Sequence, residues 1–505
     1  MSTPARRIAV IGGGIAGLAA AHRLRELDPS CSITLLEAAA RLGGVISTLH
    51  RDGFQVERSS DNFITTVPWG LDLCRRLGLA DQLIQTNPAY RRTFVVHGGR
   101  LYRLPEGFLM LAPTRIWPLA VTPLLSPLGK LRAAMEYFIP PCKDAADESM
   151  ASFVRRRLGG EVFQRLVEPL VSAVYAADME KLSVLATLPR FREMELQDGS
   201  LIRAMRRQRK LHAPADSESG ARYSLFVTLR DGLESLVSAL AARLPAGSIH
   251  LNSRVERLER ITDQWRVWTS SPHPRAPRQW SLRAPTEGWS GEGTFNVVPI
   301  GEGNSETFPL TFDAVIIATP SSVAASLLAD VDATLSAELA SIAHCGTAVV
   351  SLGYDNQQIG HPLDGMGAVV PAVEESPLLA VSFSTRKYEH RAPEGKTLLR
   401  VFVGGARCPQ LVEMPDDKLL TLVRQHTEKL LHIRGEPVFY DVAHWPLTMP
   451  QYHVGHIDLV ARIEARAASL PALQLAGSAY HGVGIPDCVH GGELAAERIL
   501  AAYRL

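Results

Sequence analysis

The stretch Arg7-Ile8-Ala9-Val10-Ile11-Gly12-Gly13-Gly14-Ile15-Ala16-Gly17 decides the fold. Residues 8–11 are an apolar run with the length of a buried parallel strand. The glycines after it have the spacing G-x-G-x-x-G. Residues 18–27 are Ala-rich, with Leu18, Ala21 and Leu24 on one helical face. Ser32-Ile33-Thr34-Leu35-Leu36 reads as a second strand and runs into Glu37. Strand, glycine turn, helix and strand form a βαβ unit of dinucleotide-binding length. Gly12 permits the sharp turn, Gly14 lets the backbone approach a pyrophosphate, and Gly17 lets helix and strand pack tightly. The helix start offers free N–H groups and a partial positive charge to phosphates. Glu37, 20 residues past Gly17, is placed to accept from a ribose hydroxyl.

The next residues separate NAD from FAD. Glu37-Ala38-Ala39-Ala40-Arg41-Leu42-Gly43-Gly44 is E-x3-R-x-G-G. It resembles the extended FAD signature of the amine oxidase and phytoene desaturase superfamily. A second glycine-rich block closes the chain. Ala476-Gly477-Ser478 ends a strand, and His481-Gly482-Val483-Gly484-Ile485-Pro486-Asp487-Cys488 leads into a helix expected from about Gly491. A helix N-terminus there would face the flavin pyrimidine, where negative charge builds on reduction.

With 505 residues the chain is long enough for two or three domains, and 46% hydrophobic with 21% charged residues suits a soluble globular protein. A net charge of +1 gives no reason to expect nucleic acid. The six cysteines are far apart and form no C-x-x-C, which disfavours a disulfide framework and fits a reducing cytoplasm. The start of the chain lacks a signal-peptide h-region. No apolar run reaches the roughly 18 residues that span a bilayer. The nearest, residues 108–127, is broken by prolines and Arg115, and suits a membrane surface or an apolar cavity. His453 and His456 have no carboxylate or third ligand nearby, so no metal is expected. The basic run Arg203 to Lys210 reads as a solvated helix face, or as a docking surface for anionic lipid or a partner.

Short strands are expected at 45–48 and 54–57, and a hairpin at 94–104. Several helices follow between 105 and 220. A helix is expected from 227 to 244, and strands at 249–258 and 265–268. One buried strand is expected over 312–318. A second sheet is expected from 348–353, 378–383 and 398–403, followed by a helix at 416–431. Residues 270–307 turn to Pro, Gly, Ser and Arg and read as an enlarged surface loop.

Several stretches are more distinctive: Gly129-Lys-Leu-Arg-Ala-Ala-Met135, Leu166-Val-Glu-Pro-Leu-Val-Ser-Ala-Val-Tyr-Ala-Ala-Asp178, Ala392-Pro-Glu-Gly-Lys-Thr-Leu-Leu-Arg400, Met449-Pro-Gln-Tyr-His-Val-Gly-His456 and Gly482-Val-Gly-Ile-Pro-Asp-Cys488. Together they resemble the bacterial oxygen-dependent porphyrinogen oxidases of haem synthesis, over nearly the full length. The resemblance implies an α/β fold with a discontinuous Rossmann-like FAD-binding domain (1–90, 221–330 and 437–505). It implies a helical insertion (91–220) that carries a membrane or substrate-access face, and a mixed-sheet substrate domain (331–436). It implies FAD as cofactor, held by Gly12, Gly13, Gly14, Ile15, Ala16, Gly17, Glu37, Ala38, Arg41, Gly43, Gly44, Val45, Ser59, Ser60, Asp61, Asn62, Val255, Gly477, Ser478, Val483, Gly484 and Ile485. Relatives carry Gly-Pro where this chain has Ser59-Ser60, in a loop beside the flavin ring, which leaves the local shape open.

The implied reaction is a six-electron oxidation of a porphyrinogen by O2 with release of hydrogen peroxide. The substrate is expected to be coproporphyrinogen III, with protoporphyrinogen IX as the alternative. Another flavin oxidase, or a haem-pathway flavoprotein without turnover, stands behind these. No catalytic residue is nominated, because ring tautomerisation can relay the protons. Arg91 or Arg92 is expected near a substrate propionate, and Val171, Leu182 and Met366 against the macrocycle. Contact with a membrane or a haem-pathway enzyme is an expectation too, and the oligomeric state stays open.

Overall fold

The structure is a computed structural model that describes residues 5–142, 144, 146–211, 225–270 and 308–503. The surface loop expected over 270–307 lies, from 271 onward, outside the described residues.

Five parallel strands form the first sheet, in the order Ile249–His250, Ser32–Leu36, Arg7–Ile11, Ala314–Ile317 and Leu473–Leu475. Val10 sits between Leu35 and Ile316 in register. Ile8, Ala9 and Val10 are fully buried, as a strand covered on both faces requires. The first helix, Ile15–Leu27, and the C-terminal helix, Ile485–Ala502, pack together on one face. Their contact is close because Gly492 faces the first helix; a Cβ there would lie 2.1 Å from the Ala16 carbonyl oxygen. The other face is covered by a cluster that includes Trp265, Leu335 and Ile463.

The second sheet has seven strands, ordered Phe439–Pro450, His344–Asp355, Lys396–Gly404, Leu378–Phe383, Gly367–Val369, Thr93–His97 and Arg100–Arg103. The hairpin expected at 94–104 therefore forms its edge, and residues 439–450 its opposite edge. Alternation along Lys396–Gly404 divides the faces. Leu399, Val401 and Val403 pack with Leu419 and Val423 of the helix Asp416–Leu431. On the opposite face Val95 and Val369 join the core of a helical layer containing Phe153, Val171 and Leu182. Within that layer Glu136 and Arg157 are fully buried and ion-paired. The Glu136 carboxylate also accepts from Ser200 Oγ (2.6 Å) and the Leu201 N–H (2.8 Å), at the start of the helix Leu201–Leu211. Gly129 is explained here as well, since a Cβ would lie 1.8 Å from the Glu161 carboxylate.

Four expected elements are corrected. The helix expected from 227 begins at Glu234, and Phe226–Leu229 is a strand paired with Phe63–Ile64 and Leu83–Gln85. The β-branched pair Val227-Thr228 suits a sheet, and Gly232, at φ +93°, turns the chain into the helix. The strand expected at 45–48 forms as Thr48–Arg51, in register with Phe54–Glu57. The run 312–318 is two strands: Phe308–Phe312 pairs antiparallel with Gln264–Thr269, and the parallel strand starts at Ala314. The C-terminal helix starts at Ile485, not near Gly491, because Pro486 sits in its first turn where no N–H is needed.

Candidate functional site

Ligands of open parallel sheets bind beyond the carboxyl ends of the strands. Both glycine blocks lie there. Gly12 has φ +106°, and a Cβ on Gly17 would lie 1.9 Å from the Gly12 carbonyl oxygen. Gly17 therefore sets how closely the helix follows the strand. The Glu37 carboxylate accepts from the Gly13 N–H (2.7 Å) and the Ala39 N–H (2.7 Å), which ties the end of the second strand to the turn. The Gly43 N–H donates to the Gly13 carbonyl at 2.8 Å, so the second glycine pair lies against the first loop. A Cβ on Gly44 would lie 3.4 Å from Gly14 Cα, whereas a Cβ on Gly14 would meet nothing within 4 Å among the described residues. Arg41 donates to the carbonyls of Leu42 (3.0 Å), Gly44 (2.5 Å) and Ile46 (3.0 Å) and so braces the loop. Ala38 and Val45 flank it. The Ser253 N–H donates to the Glu37 carbonyl (2.8 Å), which brings the strand starting at Val255 alongside.

At the other end Gly477 has φ +125°, and the Ser478 carbonyl accepts from the Tyr452 hydroxyl at 2.5 Å. Gly484 is the N-cap of the 18-residue C-terminal helix and supplies no capping side chain. The first helix, capped by Gly14, likewise has none. Asp487 folds back on the loop, and burial raises its carboxyl above the ordinary value. Val483 packs on the helical layer's core, alongside the cluster that holds Val171 and Leu182.

Residues 58–62 lie at the seam between the two sheets. The seven-stranded sheet grips them from several strands. Arg58 pairs with Asp441 at 2.9 Å, and its carbonyl accepts from Trp445 Nε1 at 2.7 Å. Arg400 Nη2 donates to the Ser59 carbonyl. Asp61 accepts from Lys387 Nζ at 2.9 and 3.0 Å and lies 3.1 Å from Arg400 Nη1. Asn62 Nδ2 donates to Asp61 at 2.7 Å, while Ser60 is exposed beside it. Burial alone would raise the Asp61 carboxyl, but Lys387 and Arg400 outweigh it and hold it below its ordinary value. Just upstream, Glu57 accepts from the Leu233 N–H (2.9 Å) and the Thr48 hydroxyl (2.9 Å). Burial pushes its carboxyl up to about 7.

This arrangement fits FAD. Gly14 faces open space that a side chain would fill, Gly12, Gly13 and Gly43 let the loops around it pack closely against Ala318, Leu42 and Ile46, and two helix N-termini present N–H groups without side-chain caps. Several buried polar atoms near the seam also have no hydrogen-bond partner among the described residues: Ser351 Oγ, Ser382 Oγ, Ser384 Oγ, Tyr388 Oη and Arg400 Nε.

The residues expected at the substrate are not gathered in one place. Val171 and Leu182 are fully buried in one cluster. Met366 is half-buried ahead of the strand Gly367–Val369, where its N–H donates to the Arg92 carbonyl at 2.8 Å. Arg91 donates to the Thr86 carbonyl (2.9 Å), and Arg92 lies 3.6 Å from Asp364 at the sheet edge. Lys387 and Arg400 escaped sequence reasoning. The one signal was a lone arginine inside the apolar strand Leu398-Leu399-Arg400-Val401-Phe402-Val403. His456 stacks on Tyr452 at 4.0 Å, and its Nε2 donates to the Tyr480 carbonyl at 3.2 Å; burial lowers it to about 4, so its ring is neutral. No metal-binding group of side chains occurs among the described residues.

Residues 15–500 match the model of the family described as flavin containing amine oxidoreductase. The chain is 32% identical to coproporphyrinogen III oxidase of Bacillus subtilis over 500 residues, 98% of each protein. It is 29% identical to the chloroplastic protoporphyrinogen oxidase of Nicotiana tabacum, covering 97% of this chain and 84% of that protein. A solved structure from Exiguobacterium sp., provisionally named a protoporphyrinogen oxidase, superposes with a TM-score of 0.82 at 30% identity over the whole of both chains.

Proposed function

The chain belongs to the flavin containing amine oxidoreductases, and on that premise we propose that it oxidises coproporphyrinogen III to coproporphyrin III at the expense of O2. It is a flavin-dependent oxidoreductase. The observation that carries the substrate reading is the near-complete, 32% identical match to a coproporphyrinogen III oxidase. FAD held between these loops would supply the two-electron chemistry, three oxidations per macrocycle with O2 as the final acceptor and hydrogen peroxide as its product. The chain supplies position and environment. Gly14, Ile15, Ala16 and Gly17 would hold the pyrophosphate on backbone N–H groups, Gly12 and Gly13, whose own N–H groups go to the Leu36 carbonyl and the Glu37 carboxylate, would shape the turn that lets it approach, and Glu37 would keep a ribose hydroxyl. Gly484 and Ile485 would turn the start of the C-terminal helix towards the ring. Val171, Leu182 and Val483 would keep water from the reacting face. Purified protein mixed anaerobically with coproporphyrinogen III should bleach its bound flavin and recover the yellow colour on admitting air. Flavin that stays oxidised sinks the reading.

A second observation concerns location. No helix among the described residues is long and apolar enough to cross a membrane. Yet Ile116, Trp117, Val121, Leu128, Leu131, Met135 and Phe138 are all exposed, Trp117 by 75% and Phe138 by 79%. Arg203 lies over Tyr137 at 4.4 Å, so the basic helix borders this patch. We propose that the patch attaches the protein peripherally to an anionic lipid surface at the inner face of the membrane. Co-sedimentation with vesicles of mixed neutral and anionic lipid should fall for the double variant Trp117→Ser, Phe138→Ser. Equal sedimentation of variant and parent would remove this proposal.

A further inference from the structure

The charges that clamp the seam do not balance. Two cations, Lys387 and Arg400, face the single carboxylate of Asp61. Among the described residues neither cation pairs with another carboxylate. Arg391 and Glu57 are the neighbouring charges. Arg391 spends its donors on the Leu229 and Arg230 carbonyls, and Glu57 is bound by Thr48 and Leu233. Arg400 is 1% exposed, its Nε has no hydrogen-bond partner among the described residues, and Nη1 faces Asp61 without the alignment of a hydrogen bond.

The surroundings are polar in a pattern. In register across the sheet stand Asp441, Ser351, Arg400, Ser382, Gly367 and Thr93. Among the described residues the serine hydroxyls on either side of Arg400 have no partner. A sheet that buried this row only for packing would carry apolar side chains at these positions, because a buried hydroxyl left without a partner is destabilising. The clamped segment leads directly into Phe63. A Cβ on Gly70 would lie 3.0 Å from the Phe63 ring and 3.2 Å from Pro486, in the first turn of the C-terminal helix. Phe63, next in sequence to the clamped segment, thus packs beside that helix start.

We infer that Asp61, Lys387 and Arg400 are positioning residues that set the 58–62 segment through charge and leave one uncompensated positive charge that favours the negative charge of the reduced flavin ring. This rests on the reading that FAD lies between the two glycine loops. Stabilising the reduced ring raises the midpoint potential of bound FAD.

The test is that potential, measured on purified holoprotein without substrate. Lys387→Met balances the charges and should lower it. A tenfold loss of preference for the reduced form corresponds to about 30 mV for a two-electron couple. Asp61→Asn leaves two free cations and should raise it. The double variant should return near the parent value, and Lys387→Arg should keep it. A clamp with only a structural role would move both single variants in the same direction, with the double variant furthest from the parent; that result overturns the inference. So does a Lys387→Arg shift of about 30 mV or more, which remains readable if a charge-removing variant fails to fold. Parent protein purified without FAD would instead fault the cofactor placement itself.

Discussion

Glu57 offers a sharp test of how the seam is built. Its carboxyl is 2% exposed and accepts two hydrogen bonds, yet burial raises it from 4.5 to about 7. The folded protein therefore holds this proton more tightly than the unfolded chain does. Between pH 4.5 and 7 the folded state binds more protons, so stability falls as pH rises through that window and levels off above it. The loss is about 1 kcal/mol at pH 5 and roughly 3 kcal/mol at pH 8, from 1.36 kcal/mol per pH unit of separation. Glu57→Gln removes the titration while keeping an acceptor for Leu233 and a donor for the Thr48 oxygen. Urea unfolding of parent and variant at matched pH isolates the effect. The variant's stability relative to the parent should climb by roughly 2–3 kcal/mol from pH 5 to pH 8. A relative stability that is flat across this range, or that falls with pH, would refute the reasoning.

The glycine frame predicts a contrast between two neighbours. Gly14→Val should leave the melting temperature of the apoprotein within a few degrees of the parent, because open space surrounds the position, but should yield colourless protein. Gly17→Val should fail in both respects, since its Cβ would lie 1.9 Å from a carbonyl oxygen; a yellow, stable Gly17→Val protein would contradict the packing role. Glu136→Gln leaves Arg157 with only Glu195, 3.5 Å away, as a counter-charge and should cost about 3 kcal/mol, the low end for a broken buried pair, read as early loss of the helical layer by hydrogen exchange. Unchanged exchange in residues 150–158 would show that the pair is not needed there.

The cofactor frame was legible because its signals are contiguous. Gly12 to Gly17, Glu37 and the Gly43-Gly44 pair lie within a single βαβ unit, and the physical demand on each glycine follows from its spacing. The seam was illegible for the opposite reason. Asp61 and Lys387 are 326 residues apart in sequence; nothing local marks them as partners. Where expectation and structure differ, tertiary pairing overrode local pattern. Val227 to Leu229 could continue into a helix, but two strands wait on either side to pair with it. Gly491-Gly492 resembles a helix boundary, but Gly492 is there for contact with Ala16. Arg91 and Arg92 are expected at a propionate from their place before the hairpin, which says nothing about the direction of their side chains. Arg91 turns back to Thr86 and Arg92 turns to Asp364.

The central claim is that this flavin fold oxidises a porphyrinogen, coproporphyrinogen III before protoporphyrinogen IX. The most direct measurement supplies each substrate to the purified holoprotein in air and follows porphyrin fluorescence and hydrogen peroxide together. The account predicts three molecules of peroxide per porphyrin formed, with higher kcat/KM on coproporphyrinogen III. Faster turnover of protoporphyrinogen IX would contradict the substrate assignment, and peroxide-free or absent porphyrin formation would contradict the reaction.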